Sequence, residues 1–204
     1  MKKKDFKIEL IAKKQNMEKE IKKDFNLNEN FFNSLKKNFL QDKFTSISCK
    51  IVQNSTRQHI EKVVMFFELV LDTLEFIDTN TKTDIMLLIS EALSNAVYHG
   101  NLKMPKEFRK EKSILEFEKH IAKTNPQLFD KIVKIESRIS PEEFYFKISD
   151  SGDGFDYTKA LEIESPPHPM EEYGRGIFII KNSADEVSFE DRGKTLTITK
   201  HIGG

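Results

Sequence analysis

The chain has 204 residues, long enough for one domain with an extension, and its 33 basic and 33 acidic residues cancel, so no global field directs it to nucleic acid or to a membrane surface. The single cysteine, Cys49, excludes an intrachain disulfide and any zinc site built from several cysteines. No apolar run approaches the ~20 residues of a membrane span, and the start MKKKDFKIELIAKKQ lacks the apolar stretch of a signal peptide, so a cytoplasmic location is expected.

Residues 1–42 hold eleven lysines against seven acidic residues. Ile8, Ile11, Met17, Ile21 and Phe25 predict one charged amphipathic helix, and Phe31, Phe32, Leu35 and Phe39 a second, short one. A charged helical extension without catalytic chemistry is expected there. Phe44–Val52 alternates and predicts a strand. Ser55 or Thr56 can cap the next helix, whose apolar face is Ile60, Val63, Val64, Phe67, Val70, Leu71 and Leu74. A link at 78–81 leads to a helix over Leu87–Asn101 that ends at Gly100. The charged stretch 103–128 reads as a surface insertion with a short helical pattern between prolines.

Lys131–Ile139 and Glu142–Ser149 predict a hairpin turned at Ser140-Pro141. DSGDGF (Asp150 to Phe155) follows directly, then a helical turn at 158–163. Residues 164–173 hold three prolines within four positions and exclude regular structure. Gly174–Asn182 predicts a helix with a glycine-rich start, and Glu186–Glu190 and Thr195–His201 predict strands joined around Arg192-Gly193.

Two patterns carry chemistry. In the helix over 87–101, Glu91, Asn95 and His99 recur at i, i+4 and i+8 along one stripe, with Asp84 two turns earlier, beside Ile85, Ile89, Ala92, Leu93, Ala96 and Val97. A carboxylate and a carboxamide one turn apart at a core edge can act on one bound group, although a lone pair of this kind also fits a solvated face. The second pattern is glycine placement. Of eight glycines, five stand at Gly100, Gly152, Gly154, Gly174 and Gly176. GRG opening a helix presents free N–H groups and a positive dipole end, which suits phosphate. No GxxxxGK[ST] loop, no GxGxxG after the first strand and no HRD or DFG signature occurs.

Taken in order, Glu91-x-x-x-Asn95 with His99-Gly100, Asp150-x-Gly152-x-Gly154, Gly174-Arg175-Gly176, then Gly193 and the strand with Ile198-Thr199-Lys200 resemble the Bergerat-fold, histidine-kinase-like (GHKL) ATPases. EALSNAVYHGN and GRGIFIIKNSADEVSFEDRGKTLTITK are most similar to the anti-sigma-factor serine/threonine-kinase branch, over roughly residues 44–201. The resemblance implies an α/β (α+β) two-layer sandwich, with a mixed, mostly antiparallel sheet and helices on one face. It divides the chain into the extension at 1–42 and an ATPase domain at 43–204 with an insertion at 103–128.

By resemblance, Glu91 is the general base, Asn95 the Mg²⁺ ligand, and Asp150 the acceptor of the adenine amino group. Gly152 and Gly154 let the backbone pass the base, and Gly174, Arg175 and Gly176 hold the phosphates, Arg175 stabilising charge at the γ-phosphoryl. The implied activity is an ATP- and Mg²⁺-dependent protein serine/threonine kinase, with a slow ATPase reaction open to it. Its substrate would be an anti-anti-sigma-type protein, with a sigma factor as second partner, no nucleic acid, no membrane, and a homodimer left open. The alternative is a nucleotide-responsive partner-binding regulator with little or no kinase activity. A histidine-kinase catalytic domain fits less well, because no two-helix dimerisation segment with a phospho-acceptor histidine is evident and His59 is badly placed for that role. His99 is expected to serve the helix end, Asp153 is expected to be a turn residue, and the remaining histidines have no metal spacing.

Overall fold

The computed structural model describes residues 6–14, 17–23, 46–74, 76–105, 108, 114–162 and 175–203. Among the described residues seven strands form one sheet: β1 Phe6–Lys14, β2 Met17–Lys23, β3 Ser46–Asn54, β4 Ile132–Ile139, β5 Glu143–Ser149, β6 Glu186–Glu190 and β7 Thr195–His201. Their spatial order is β2-β1-β3-β4-β5-β7-β6, and every pairing among them is antiparallel. Among the described residues five α-helices accompany them: α1 Arg57–Thr73, α2 Thr79–Ser94, α3 Ile114–Thr124, α4 Thr158–Leu161 and α5 Arg175–Ser183. The expected sandwich is therefore present. No helix among the described residues is long and apolar enough to cross a membrane.

The sheet has one buried face because its strands alternate. Along β4, Val133, Ile135, Ser137 and Ile139 are buried while Lys134, Glu136 and Arg138 are exposed. β5 follows with Phe144, Phe146 and Ile148 inward. A one-residue slip would reverse every one of these side chains, so the pattern fixes the register, for example Ile135 opposite Ile148. The phenylalanines fill the inter-layer space. Phe67 of α1 sits edge-on to Phe144 and Phe146 at ring separations of 6.4 and 5.7 Å, and each buried ring contributes roughly 1.5–3 kcal/mol. Cys49 joins this face, its Sγ 3.1 Å from Ser137 Oγ, and burial pushes its thiol up to about 12, so it is an inert packing residue.

Three expectations are corrected. The helix drawn through Ile8, Ile11, Met17 and Ile21 is replaced by β1 and β2, an antiparallel pair added to the β3 edge with Ile8 opposite Ile51, while Phe25 lies outside the described residues. Phe6, Ile8 and Leu10 alternate with Lys7 and Glu9, so this short charged run satisfies period two as well as period 3.6. An open β3 edge offering unpaired N–H and C=O groups decides between them. Second, 79–81 is not a link: Asp78 caps α2, its Oδ1 accepting from Asn80 N at 2.8 Å and Thr81 N at 3.1 Å. Third, α2 does not run regularly to Gly100 but passes at Asn95 into a wider π-type turn that lasts to Asn101. The predicted short helix at Phe31–Phe39 and the irregular segment 164–173 lie outside the described residues. At α1, Thr56 is the cap, and its hydroxyl meets His59 Nδ1 at 2.6 Å, which gives the buried His59 a structural partner.

Candidate nucleotide site

The stripe on α2 survives the tertiary fold because α2 buries its other side. Ile85, Leu88, Ile89, Ala92 and Leu93 face the core, which leaves Glu91 and Asn95 half-buried at its edge. α5 arrives over them. A Cβ built on Gly176 would stand 2.7 Å from Glu91 Oε2 and 3.2 and 3.3 Å from the two Asn95 amide atoms. Only a residue without a side chain lets the α5 start approach this closely. Arg175, the first residue of α5, is near enough for its charge to act on Glu91. Burial pushes the Glu91 carboxyl above its ordinary value of 4.5, and the Arg175 guanidinium offsets part of that rise. The result is a carboxylate more basic than a surface one.

The other end of the site forms where α2 meets the turn after β5. A Cβ on Gly100 would lie 2.5 Å from the carboxyl carbon of Asp150, and one on Gly152 would lie 2.3 Å from the Gly100 carbonyl oxygen. The two glycines thus let helix end and turn interlock. Asp150 Oδ1 accepts from Gly152 N at 2.7 Å, and Asp150 N donates to the Lys194 carbonyl at 3.0 Å. Burial raises the Asp150 pKa, while the Gly152 amide, Lys131 and Lys194 pull it back. Gly154 turns back on the β6–β7 connection, and Phe155 N donates to Arg192 O at 3.0 Å.

Between these ends lies a cleft of about 350 Å³, bounded by α2, the turn after β5, the α5 start and β7, with Asn95, Asp150, Gly154 and Gly176 in its lining. That volume is in the range of small-molecule sites. Glu91 at one end and Gly100 at the other are nine residues apart along α2 and the π-type turn that continues it, on the order of 10–14 Å at about 1.5 Å or less per residue. Ile148, Phe155, Phe189 and Leu196 give the Asp150 end apolar walls, and Phe155 meets Phe189 edge-on at 5.6 Å. His99, Lys103 and Lys194 supply cationic or ionisable groups along the same cleft. A flat apolar group bearing a hydrogen-bond donor suits the Asp150 end, and an anion suits the helix start opposite.

Of the residues singled out in the sequence, Glu91, Asn95, Arg175 and Gly176 come together at one end and Asp150, Gly152 and Gly154 at the other; Gly174 lies outside the described residues. His99 stands at the helix end as expected and also borders the cleft. Asp153 is more than a turn residue, since it forms an ion pair with Lys103, which itself has a left-handed backbone with φ 54°. Among the described residues no cluster of three or more His, Cys, Asp or Glu could hold a metal ion.

The sequence reading missed Asn101. It is fully buried, with Nδ2 donating to Ser55 Oγ at 2.7 Å and to the Ile132 carbonyl at 3.2 Å, while its Oδ1 accepts from Ser151 N at 2.7 Å. The one available signal was an amide directly after the helix-ending glycine.

Interlocked glycines, a half-buried carboxylate after a strand and a Glu/Asn pair under a glycine-opened helix thus flank one cleft. Residues 53–200 match the family described as histidine kinase-like ATPase domain, and the chain belongs to that family. It is similar to the serine-protein kinase RsbW of Staphylococcus aureus, at 29% identity over 126 residues for strains MSSA476 and JH9 alike. Each alignment covers 58% of this chain and 65% of the relative.

Proposed function

We propose that this protein is an ATP-dependent protein serine/threonine kinase of the anti-sigma-factor type, acting in the cytoplasm. Its substrate would be an anti-anti-sigma-type antagonist protein, and a sigma factor or similar protein its second partner. One observation carries the reading: Gly176 brings the α5 start onto Glu91 and Asn95, while Asp150 stands at the far end of the same cleft. The likeness to RsbW, a serine-protein kinase by name, supports a protein serine as the acceptor.

In this reading Asp150 accepts a hydrogen bond from the adenine amino group, and the walls at Phe155 and Phe189 cover the ring. Free N–H groups at the start of α5 face the phosphates, and Arg175 balances the charge that develops on the transferred group. Glu91 takes the proton from the attacking hydroxyl as its oxygen bonds to the γ-phosphorus, while the bond from that phosphorus to the β,γ-bridging oxygen breaks and ADP leaves. Its raised basicity favours that step. Asn95 offers a neutral oxygen of the kind a hard cation accepts, which suits an ion that would complete its shell on phosphate oxygens. Mg²⁺, when bound there, would neutralise charge on the phosphates.

The test is incubation of the purified protein with γ-labelled ATP, Mg²⁺ and a candidate antagonist from the same genome. Label on a serine or threonine of the antagonist, lost in Glu91→Ala, is expected. ATP binding without transfer would instead favour a nucleotide-responsive partner-binding regulator. Failure to bind ATP would overturn both readings.

A further inference from the structure

We propose that Asn101 is a positioning residue that sets the base preference of the cleft, by fixing the peptide group that follows Asp150. The inference rests on the reading of Asp150 as the adenine acceptor.

The orientation of the Asn101 amide follows from its neighbours. Ser151 N–H can only donate, so the atom facing it is oxygen; the Ile132 carbonyl can only accept, so the atom facing it is nitrogen. Ser55 Oγ donates to the Lys131 carbonyl at 2.8 Å and is left to accept from Asn101 Nδ2 at 2.7 Å. The side chain is thus divided. Its NH₂ joins the β3–α1 corner to the start of β4, and its oxygen reaches the DSG turn.

That oxygen matters because a peptide group is planar, and holding one of its atoms constrains the whole plane. The plane before Asp150 is held by its N–H on the Lys194 carbonyl at 3.0 Å. The plane after it is held by Ser151 N–H on Asn101 Oδ1 at 2.7 Å. With both planes fixed, φ and ψ of Asp150 are set and so is the path of its carboxylate. Ser151 Oγ adds a pin on the Ile132 carbonyl at 2.9 Å, the same oxygen that Asn101 holds. Asn101 directly follows Gly100, whose missing Cβ admits that carboxylate. One residue therefore ties the helix end to the turn that carries the base-reading group. Its side-chain hydrogen bonds approach the cleft at the Ser151 peptide, next to Asp150, so the effect should fall on base preference rather than on the phosphate end.

Equilibrium binding of Mg²⁺-ATP and Mg²⁺-GTP by calorimetry, together with melting temperature, tests this in the full chain. Asn101→Ala is expected to lower the ATP-over-GTP preference by about tenfold or more, the equivalent of one lost hydrogen bond to a charged group. Asn101→Asp keeps the acceptor and is expected to retain the preference while melting lower. Ser55→Ala removes only the inward partner and is likewise expected to melt lower with the preference intact. A purely structural role would lower stability in all three and leave the preference untouched throughout. That result, or a Ser55→Ala loss as large as that of Asn101→Ala, overturns the proposal. If Asn101→Ala does not fold, the near-isosteric Asn101→Leu, which also removes the acceptor for Ser151 N, decides: lost preference supports the assignment, and retained preference overturns it. Asp150→Asn separates the levels. Should it leave the preference unchanged, the adenine reading fails and the inference with it; should it abolish the preference while Asn101→Ala does not, only the inference fails.

Discussion

The two ends of the cleft are built differently. At the Asp150 end, backbone lies on backbone, with Gly152 against the Gly100 carbonyl and a fully buried asparagine behind. At the Glu91 end, contact is made by the tips of polar side chains under Gly176, and α5 buries only Ile180 among its nine residues. α2 by contrast buries five. Low burial means less free energy opposes displacement of α5, whereas moving the Asp150 turn breaks at once the hydrogen bonds of Ser151 to Asn101 and Ile132 and of Asp150 to Lys194. In the proposed reading, a base would sit at the more tightly held end and the phosphates at the end with more room to adjust.

The largest effect should come from the chemistry. Glu91→Ala is expected to cut phosphotransfer by about 10²–10⁴-fold, the usual value of a general base, while ATP affinity measured by calorimetry stays within a few fold. Transfer at the wild-type rate would remove the chemical role from that end.

Paired glycine substitutions contrast the two ends directly. Gly152→Ala meets a backbone oxygen that cannot yield, so it should cost about 1–3 kcal/mol in urea unfolding. Gly176→Ala meets Glu91 Oε2, the tip of a flexible side chain. It should unfold almost as the wild type does, yet transfer label more slowly because Glu91 is pushed aside. Equal stability losses would show that both ends are equally rigid.

A smaller effect concerns pH. The folded Glu91 carboxyl lies above its ordinary value of 4.5 because of burial. Its contribution to stability is therefore most favourable below pH 4.5 and is lost as pH rises through the folded value. Without nucleotide, Glu91→Gln should melt higher than the wild type at pH 7.5, with the difference closing below about pH 4.5. A difference independent of pH would reject the burial origin. Least affected should be Lys103→Ala. The Lys103–Asp153 pair is exposed on both sides, and such pairs contribute little, so its melting temperature should shift by no more than replicate scatter and respond weakly to salt.

Much of this was legible because it is local. The i, i+4 spacing of Glu91 and Asn95 places both on one helix face wherever the helix goes, and the alternation in 142–149 sets which side of β5 is buried and delivers Asp150 at the strand end. Helix and strand periods are short-range properties, so residue types alone carry them. The same limit explains the failures. Residues 6–23 fit two periods, and only the open edge of β3, distant in sequence, selected the strand.

The opposition of Gly176 to Glu91 joins residues 85 apart in the chain, and the bond from Ser151 to Asn101 spans 50. No local pattern encodes either. The π-type turn at Asn95–Asn101 likewise depends on what α2 meets at its end. Sequence by itself determined which side chains could form a nucleotide site and in what order. The tertiary structure decided which of them touch, because a buried polar atom is settled by the partner that satisfies it, and those partners come from other elements.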